Sequence, residues 1–267
     1  MAKQTGLVKY SGTLGGVRHF KIKGLQGDFA GLTGGPTADQ IYNDPAFERT
    51  RENMSEFGGS ATVAKAIRVG LSTVVKQMSD PQLTGRLTAI MKEINLKDTN
   101  GTRGQRSIFI SQNTNDLQGF NFDKNISFTS VFNAPISPSV TPDRDSVTLT
   151  IESFNPLNYI NAPAGATHFR VINAITVISD YAYNKNTKKY EPIDISTNGL
   201  NDVQYSDYTE LSSATPLITL TSTFPGSPSL SSDVTGLFCV GIEFYQQVGS
   251  NYYLFSSGNA LMVAGGF

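Results

Sequence analysis

Two different spacings of apolar residues divide this chain. From Ser60 to Met78, Val63, Ile67, Leu71, Val74, Val75 and Met78 recur at the three- and four-residue intervals of one helix face. Leu83, Leu87, Ile90, Met91 and Ile94 repeat the pattern after an Asp80-Pro81 start signal. Beyond Asp145 the interval becomes two. In "SVTLTIE", Val147, Leu149 and Ile151 alternate with polar residues, and in "LFCVGIEF" the apolar face is Phe238, Val240, Ile242 and Phe244. "ATHFRVINAITVISDYAY", "PLITLTSTF" and "YYLFSSGNALMV" also read as strands, with hairpin signals at Asn198-Gly199 and Gly249-Ser250. A helix period followed by a strand period predicts an α+β chain ending in an antiparallel β-sandwich of immunoglobulin-like type.

Ahead of the helices, "GLVKYSG" and "VRHFKIKG" flank "TLGG" as a hairpin, and "GDFAGLTGG" adds a third strand. A sheet this small is marginal alone and needs a partner surface. The turn-rich, basic "LKDTNGTRGQR" reads as a boundary and residues 134–145 as a Pro/Ser linker. The expected domains are therefore 1–125, hairpin and helices, and 126–267, the sandwich.

Residues 43–59, "NDPAFERTRENMSEFGG", read as a separate helix, capped by Asp44-Pro45 and stopped by Gly58-Gly59. Phe47, Met54 and Phe57 are its large apolar residues, crowded by Glu48, Arg49, Arg51, Glu52 and Glu56. A core helix buries more than this, and a solvated helix has no need of two Phe and a Met. Two readings stand: an interface in which these eight residues anchor and pair with copies of the same chain, or a clamp onto the 60–78 helix.

Little in the chain suggests chemistry. His19 and His168 are the two histidines, Cys239 is the one cysteine, and no HExxH, CxxC or GxSxG occurs. The Gly-rich "SGTLGGVRHF" lacks the Lys-Ser/Thr of a phosphate loop and leads into a strand. No catalytic residue, cofactor or metal is expected, and a lone cysteine makes the fold independent of an oxidising compartment. The absence of an apolar leader or spanning run predicts a cytoplasmic protein without membrane contact. A net charge of −1 argues against nucleic acid as a partner. That charge is unevenly spread. Residues 1–125 carry 16 Lys+Arg against 11 Asp+Glu, and residues 126–267 carry 5 against 11. Opposite halves favour head-to-tail contact between copies, the kind that builds rings or filaments.

"GLVKYSGTLGGVRHFK", "NDPAFERTRENMSEFGG", "LQGFNF", "APAGATHFRVI" and "GIEFYQQVGSNYYLFSSGNALMVA" together resemble a family of uncharacterised proteins from Bacteroidetes-group bacteria. The resemblance spans most of the chain and implies a bacterial origin but no activity. The N-terminal hairpin is also similar, by analogy, to phage-derived structural proteins. The expectation is a non-enzymatic structural protein that assembles with itself. Its rival is a sandwich binding module for a glycan or protein, with Tyr181, Tyr183, Tyr190, Tyr205 and Tyr208 as a platform.

Overall fold

The structure, a computed structural model, describes residues 1–267. It is a mixed helix and sheet protein in which every sheet is antiparallel. The chain forms two compact units, Met1–Arg51 and Glu52–Phe267.

In the first unit, β1 (Ala2–Gln4), β2 (Gly12–Leu14), β3 (Val17–Phe20) and β4 (Asp28–Leu32) form a sheet in the order β1-β4-β3-β2. The expected hairpin is present. Leu14 pairs with Val17 across Gly15-Gly16, whose φ values of 55° and 79° suit the two left-handed positions of a tight turn. Phe20 and Phe29 stack on one face, with the Arg18 guanidinium 5.5 Å from the Phe20 ring. The strand register places Leu14, Val17, Leu32 and Ala30 on the other face. A short helix follows, α1 (Ala38–Asn43), closed at its start by a Thr37/Gln40 capping box.

The second unit is built around β7 (His168–Ser179) and β13 (Val234–Val248), paired without interruption from Val234↔Ser179 to Tyr245↔His168. They lie inside the order β10-β7-β13-β14, where β10 is Asn201–Tyr205 and β14 is Asn251–Leu254. β11 (Thr209–Glu210) and β15 (Ala260–Gly266) add further pairings to β7 and β13. Gly249-Ser250 turns β13 into β14 as expected, with Val248 opposite Asn251. Asn198-Gly199 makes a turn between strands that do not pair with each other.

Each face of this pair carries its own apolar cluster. On one, Ile172, Ala174, Ile178, Leu237 and Cys239 meet the helices α2 (Glu48–Gly70), α3 (Ser72–Val75) and α4 (Leu83–Lys97). Each helix-stripe residue read from the sequence is buried here, with Ile90 partly so. On the other face, Phe169, Val171, Phe238, Val240, Ile242 and Phe244 cluster with residues of β6 (Ser146–Ile151) and β12 (Ile218–Thr223). The Asn173 amide donates to the carbonyls of Val147 and Leu220 at 2.9 and 2.8 Å, tying β7 to both strands.

Three expectations change. The helices of 52–97 and the strands beyond 146 share a core, so no compact-unit boundary falls at 125/126. The linker at 134–145 contains β5 (Ser137–Val140), an edge strand on β6 where Pro138 is tolerated because one side needs no ladder bond. "LKDTNGTRGQR" is not a boundary: the Asp98 carboxylate accepts the N–H groups of Asn100, Gly101 and Ser107 at 2.8–3.1 Å and knots the loop to the end of α4. No helix is long and apolar enough to cross a membrane.

Gly58-Gly59 does not stop the helix, because α2 runs through it for 23 residues. Gly59 is there for clearance. A Cβ on it would stand 2.5 Å from the Tyr190 ring, and one on Gly70, three turns later, 2.0 Å from Thr176 Oγ1. A Cβ on Gly58 would meet nothing. Gly58→Ala should therefore stabilise by about 0.5–1 kcal/mol through helix propensity. Gly59→Ala and Gly70→Ala should destabilise by about 1–3 kcal/mol through overpacking, each read from urea unfolding midpoints.

Candidate functional site

The eight interface candidates fall on both sides of the 51/52 division. In the first unit, Asp44 caps a one-turn 3-10 helix, Pro45–Phe47, through its carboxylate and the Ala46 N–H at 2.8 Å. Phe47 is half-buried; Glu48 and Arg49 are exposed. Arg51 donates to the carbonyls of Ile41 and Asp44 at 2.8 and 2.9 Å, which holds the end of α1 in place. Its guanidinium is thus committed within the chain.

In the second unit, Met54 and Phe57 are one helical turn apart and 45% and 55% exposed. Glu52 reaches Arg103 Nε at 3.2 Å. Glu56 corrects the expectation that it faces another copy: it is 2% exposed. Its carboxylate accepts from Lys92 Nζ and, at 2.7 Å, from the Gly104 N–H, with Arg106 Nη1 at 3.9 Å. Lys92 also donates to Asn95, and Asn95 donates to the Arg106 carbonyl. Burial alone would push the Glu56 pKa up; the Lys92 and Gly104 hydrogen bonds and the two cations outweigh it and hold the group below the usual carboxylate value. The same charge adds to burial in pushing the Tyr190 phenol well above its ordinary value. The 60–78 segment begins as a continuation of the same helix, so the expected clamp onto it does not form; Glu56 and Glu52 pair instead with Lys92 of α4 and the 103–106 loop, while Met54 and Phe57 stay exposed.

The tyrosine platform divides as well. Tyr181 and Tyr190 are buried near the helices and Tyr183 meets Tyr190 edge-on, on the strands β8 (Tyr181–Asn184) and β9 (Lys189–Pro192). Tyr205 and Tyr208 instead join a second group at the far end of the β7–β13 pair. The Arg170 guanidinium lies 4.5 Å from the Tyr205 ring and 4.9 Å from the Tyr208 ring. Tyr208 stacks on Tyr252 at 3.9 Å with 2° between the planes. Tyr245 meets Tyr208 edge-on, and His168 does the same to Tyr252. Arg170 is fixed by its Nε donating to the Ser206 carbonyl at 2.8 Å, and Glu243, its cross-strand neighbour, accepts from the Tyr245 hydroxyl at 2.6 Å. Burial, with Glu243 as acceptor and charge, raises the Tyr245 pKa far above neutrality, so its phenol stays protonated. The group can present ring faces and hydroxyls to a ligand; it holds no activated nucleophile. Beside it, Tyr205, Ser206, Asp207, Thr209 and the Pro216–Leu220 segment line a cleft of about 200 Å³. The sequence signal for this stack was the alternation of β7, which puts His168 and Arg170 on one face, but its partners lie some 35 to 84 positions away.

Cys239 is fully buried and burial raises its thiol pKa, so it is a small core side chain. No group of three or more His, Cys, Asp or Glu is placed to hold a metal ion. No family model, curated protein or solved structure matches the chain.

Glu56→Gln should cost about 2 kcal/mol, because it leaves Lys92 facing a neutral group in a largely buried setting. A depressed folded-state pKa stabilises above the unfolded value of about 4.3 and is lost as pH falls through the folded one. The stability gap between wild type and Glu56→Gln should therefore be full at pH 7 and close on the acid side. Asp180, whose pKa burial raises, works in the opposite direction in both proteins and cancels in that difference. Urea unfolding of the pair from pH 7 to 3 measures it.

Proposed function

We propose that the chain is a non-enzymatic structural protein that assembles with copies of itself into a higher-order object such as a tube, filament, sheet or shell. One observation carries this reading. The first unit holds four hydrogen-bonded strands, yet not one of its residues is buried. Leu14, Val17 and Leu32 form an apolar row across three of those strands, with Leu14 65% and Leu32 86% exposed. A sheet with no core of its own is stabilised by whatever covers it.

The proposed cover is a second copy, and charge supports that choice. Residues 1–35 carry five Lys+Arg and one Asp, whereas residues 126–267 carry 5 Lys+Arg against 11 Asp+Glu. Lys9 and Lys21 both lie near that one Asp, Asp28, at 3.4 and 3.7 Å, which leaves the strand region basic. A basic apolar sheet meeting an acidic region of the next copy is a heterologous contact, and such contacts propagate. Met54 and Phe57 offer a further apolar pair for the same purpose. We read the six-stranded and three-stranded sheets as a β-sandwich; their shared apolar cluster supports this. A cytoplasmic location belongs to the same proposal.

The Arg170–tyrosine stack and the cleft next to it favour a second reading, a binding module that takes a glycan or protein. The two readings part in the ultracentrifuge. At tens of micromolar and low salt the protein should sediment as large species, and about 0.5 M NaCl should shift it toward monomer by screening. Leu14→Glu with Leu32→Glu should release small species with an unchanged circular-dichroism spectrum for the rest of the fold. A loss of about 1 kcal/mol per contact weakens each step roughly fivefold. A wild-type monomer under the low-salt condition overturns assembly and leaves the binding module.

A further inference from the structure

Between the last turn of α2, α3 and the first turn of α4 lies an open cavity of about 320 Å³, and its polar lining is unusual in sign. Arg68, Lys76, Ser72, Ser79 and Thr84 line it, above Val75 and Leu83. The one carboxylate in the lining, Asp80, is already committed. It accepts from the Gln82 N–H and from Arg86 Nη2, both at 2.5 Å, and from the Lys124 N–H at 2.9 Å. Burial would raise the Asp80 pKa, but these donors outweigh it and keep the group ionised.

The two remaining charges are both positive and both without a protein partner. Arg68 Nε is buried and makes no hydrogen bond, and Lys76 makes no ion pair. A buried guanidinium N–H left without an acceptor is costly, so the site favours an occupant that supplies one. The first turn of α4 borders the same space, and its N-cap, Gln82, makes no side-chain capping bond. The Asp80 carboxylate already accepts the Gln82 N–H at that helix start, so the free positive charge of the site is that of Arg68 and Lys76.

We propose that this cavity binds a small phosphate: inorganic phosphate or a soluble phosphate monoester. A planar guanidinium, a mobile ammonium and three hydroxyls set around an apolar floor suit a tetrahedral dianion with oxygens in several directions. A planar carboxylate would engage fewer of them. The open side leaves room for the organic part of an ester. The site lies wholly in the 52–267 unit and does not depend on assembly.

The test is calorimetric titration of the whole protein with inorganic phosphate and, separately, methyl phosphate, with sodium chloride of equal ionic strength as control. Saturable binding above the chloride control is expected. Lys76→Gln, at an exposed position, should weaken it at least about fivefold with an unchanged melting curve, and Arg68→Gln at least about tenfold. Arg68→Lys should restore part of the loss. Tighter binding of methyl phosphate than of phosphate would identify an ester as the natural occupant, and the reverse would identify the free anion. Absence of saturable binding over chloride overturns the proposal, as does binding that Lys76→Gln and Arg68→Gln both leave unchanged.

Discussion

The pairing of β7 with β13 governs the rest of the second unit, because both faces of that pair are removed from water. All but one residue of β7 and the first twelve of β13 are buried. A ribbon buried on both sides needs apolar side chains on both, and β7 supplies them: Phe169, Val171 and Ile175 on one face, Ile172, Ala174 and Ile178 on the other. The cost of covering two faces falls on the neighbours. The helices α2–α4 must present one continuous stripe to one face, and β6 and β12 one apolar side each to the other.

That division explains what could be read in advance. Val63, Ile67, Leu71, Leu87, Met91 and Ile94 announce their burial because a stripe is written into consecutive turns. Val147, Leu149 and Ile151 do so by alternation. Gly15-Gly16 and Gly249-Ser250 declare turns because positive φ is a local demand. Gly59 was misread for a related reason: a glycine pair after a polar helix looks like a stop, whereas its cause is the Tyr190 ring 131 positions along the chain. Glu56 looked like a surface charge until Lys92 and the Gly104 N–H, 36 and 48 residues away, closed around it. Arg170 with Tyr205, Tyr208 and Tyr252 belongs to the same class. Short-range periodicity carries no information about which distant side chain completes a polar or close-packed contact.

The two units differ in what stabilises them. Residues 52–267 contain two apolar clusters and a set of internal ion pairs, Glu56–Lys92 and Asp80–Arg86 among them, each with one partner almost fully buried. Residues 1–51 have strands, caps and ring stacking but no interior. Hydrogen-bonded strands with little apolar burial offset only part of the backbone entropy lost on ordering. With a second copy as its cover, as proposed, the stability of such a segment follows mass action and varies with concentration in a way that a cored domain does not.

Asn173 has a consequence of a different kind. A slip of β6 or β12 by one residue would expose their apolar sides, and hydrophobicity alone forbids it. A slip by two residues keeps every apolar side chain inside, so burial cannot tell it from the native arrangement. Backbone carbonyls repeat every two residues, so the Asn173 amide would find acceptors in either state, but the Ser222 hydroxyl, which donates to the Asn173 carbonyl at 3.0 Å, is in place only at the observed offset. In a slipped β12 that buried hydroxyl loses its acceptor, at about 1–3 kcal/mol. One polar side chain inside an apolar layer thus serves as an alignment gauge, distinguishing two sheets that would otherwise fit together equally well in more than one position.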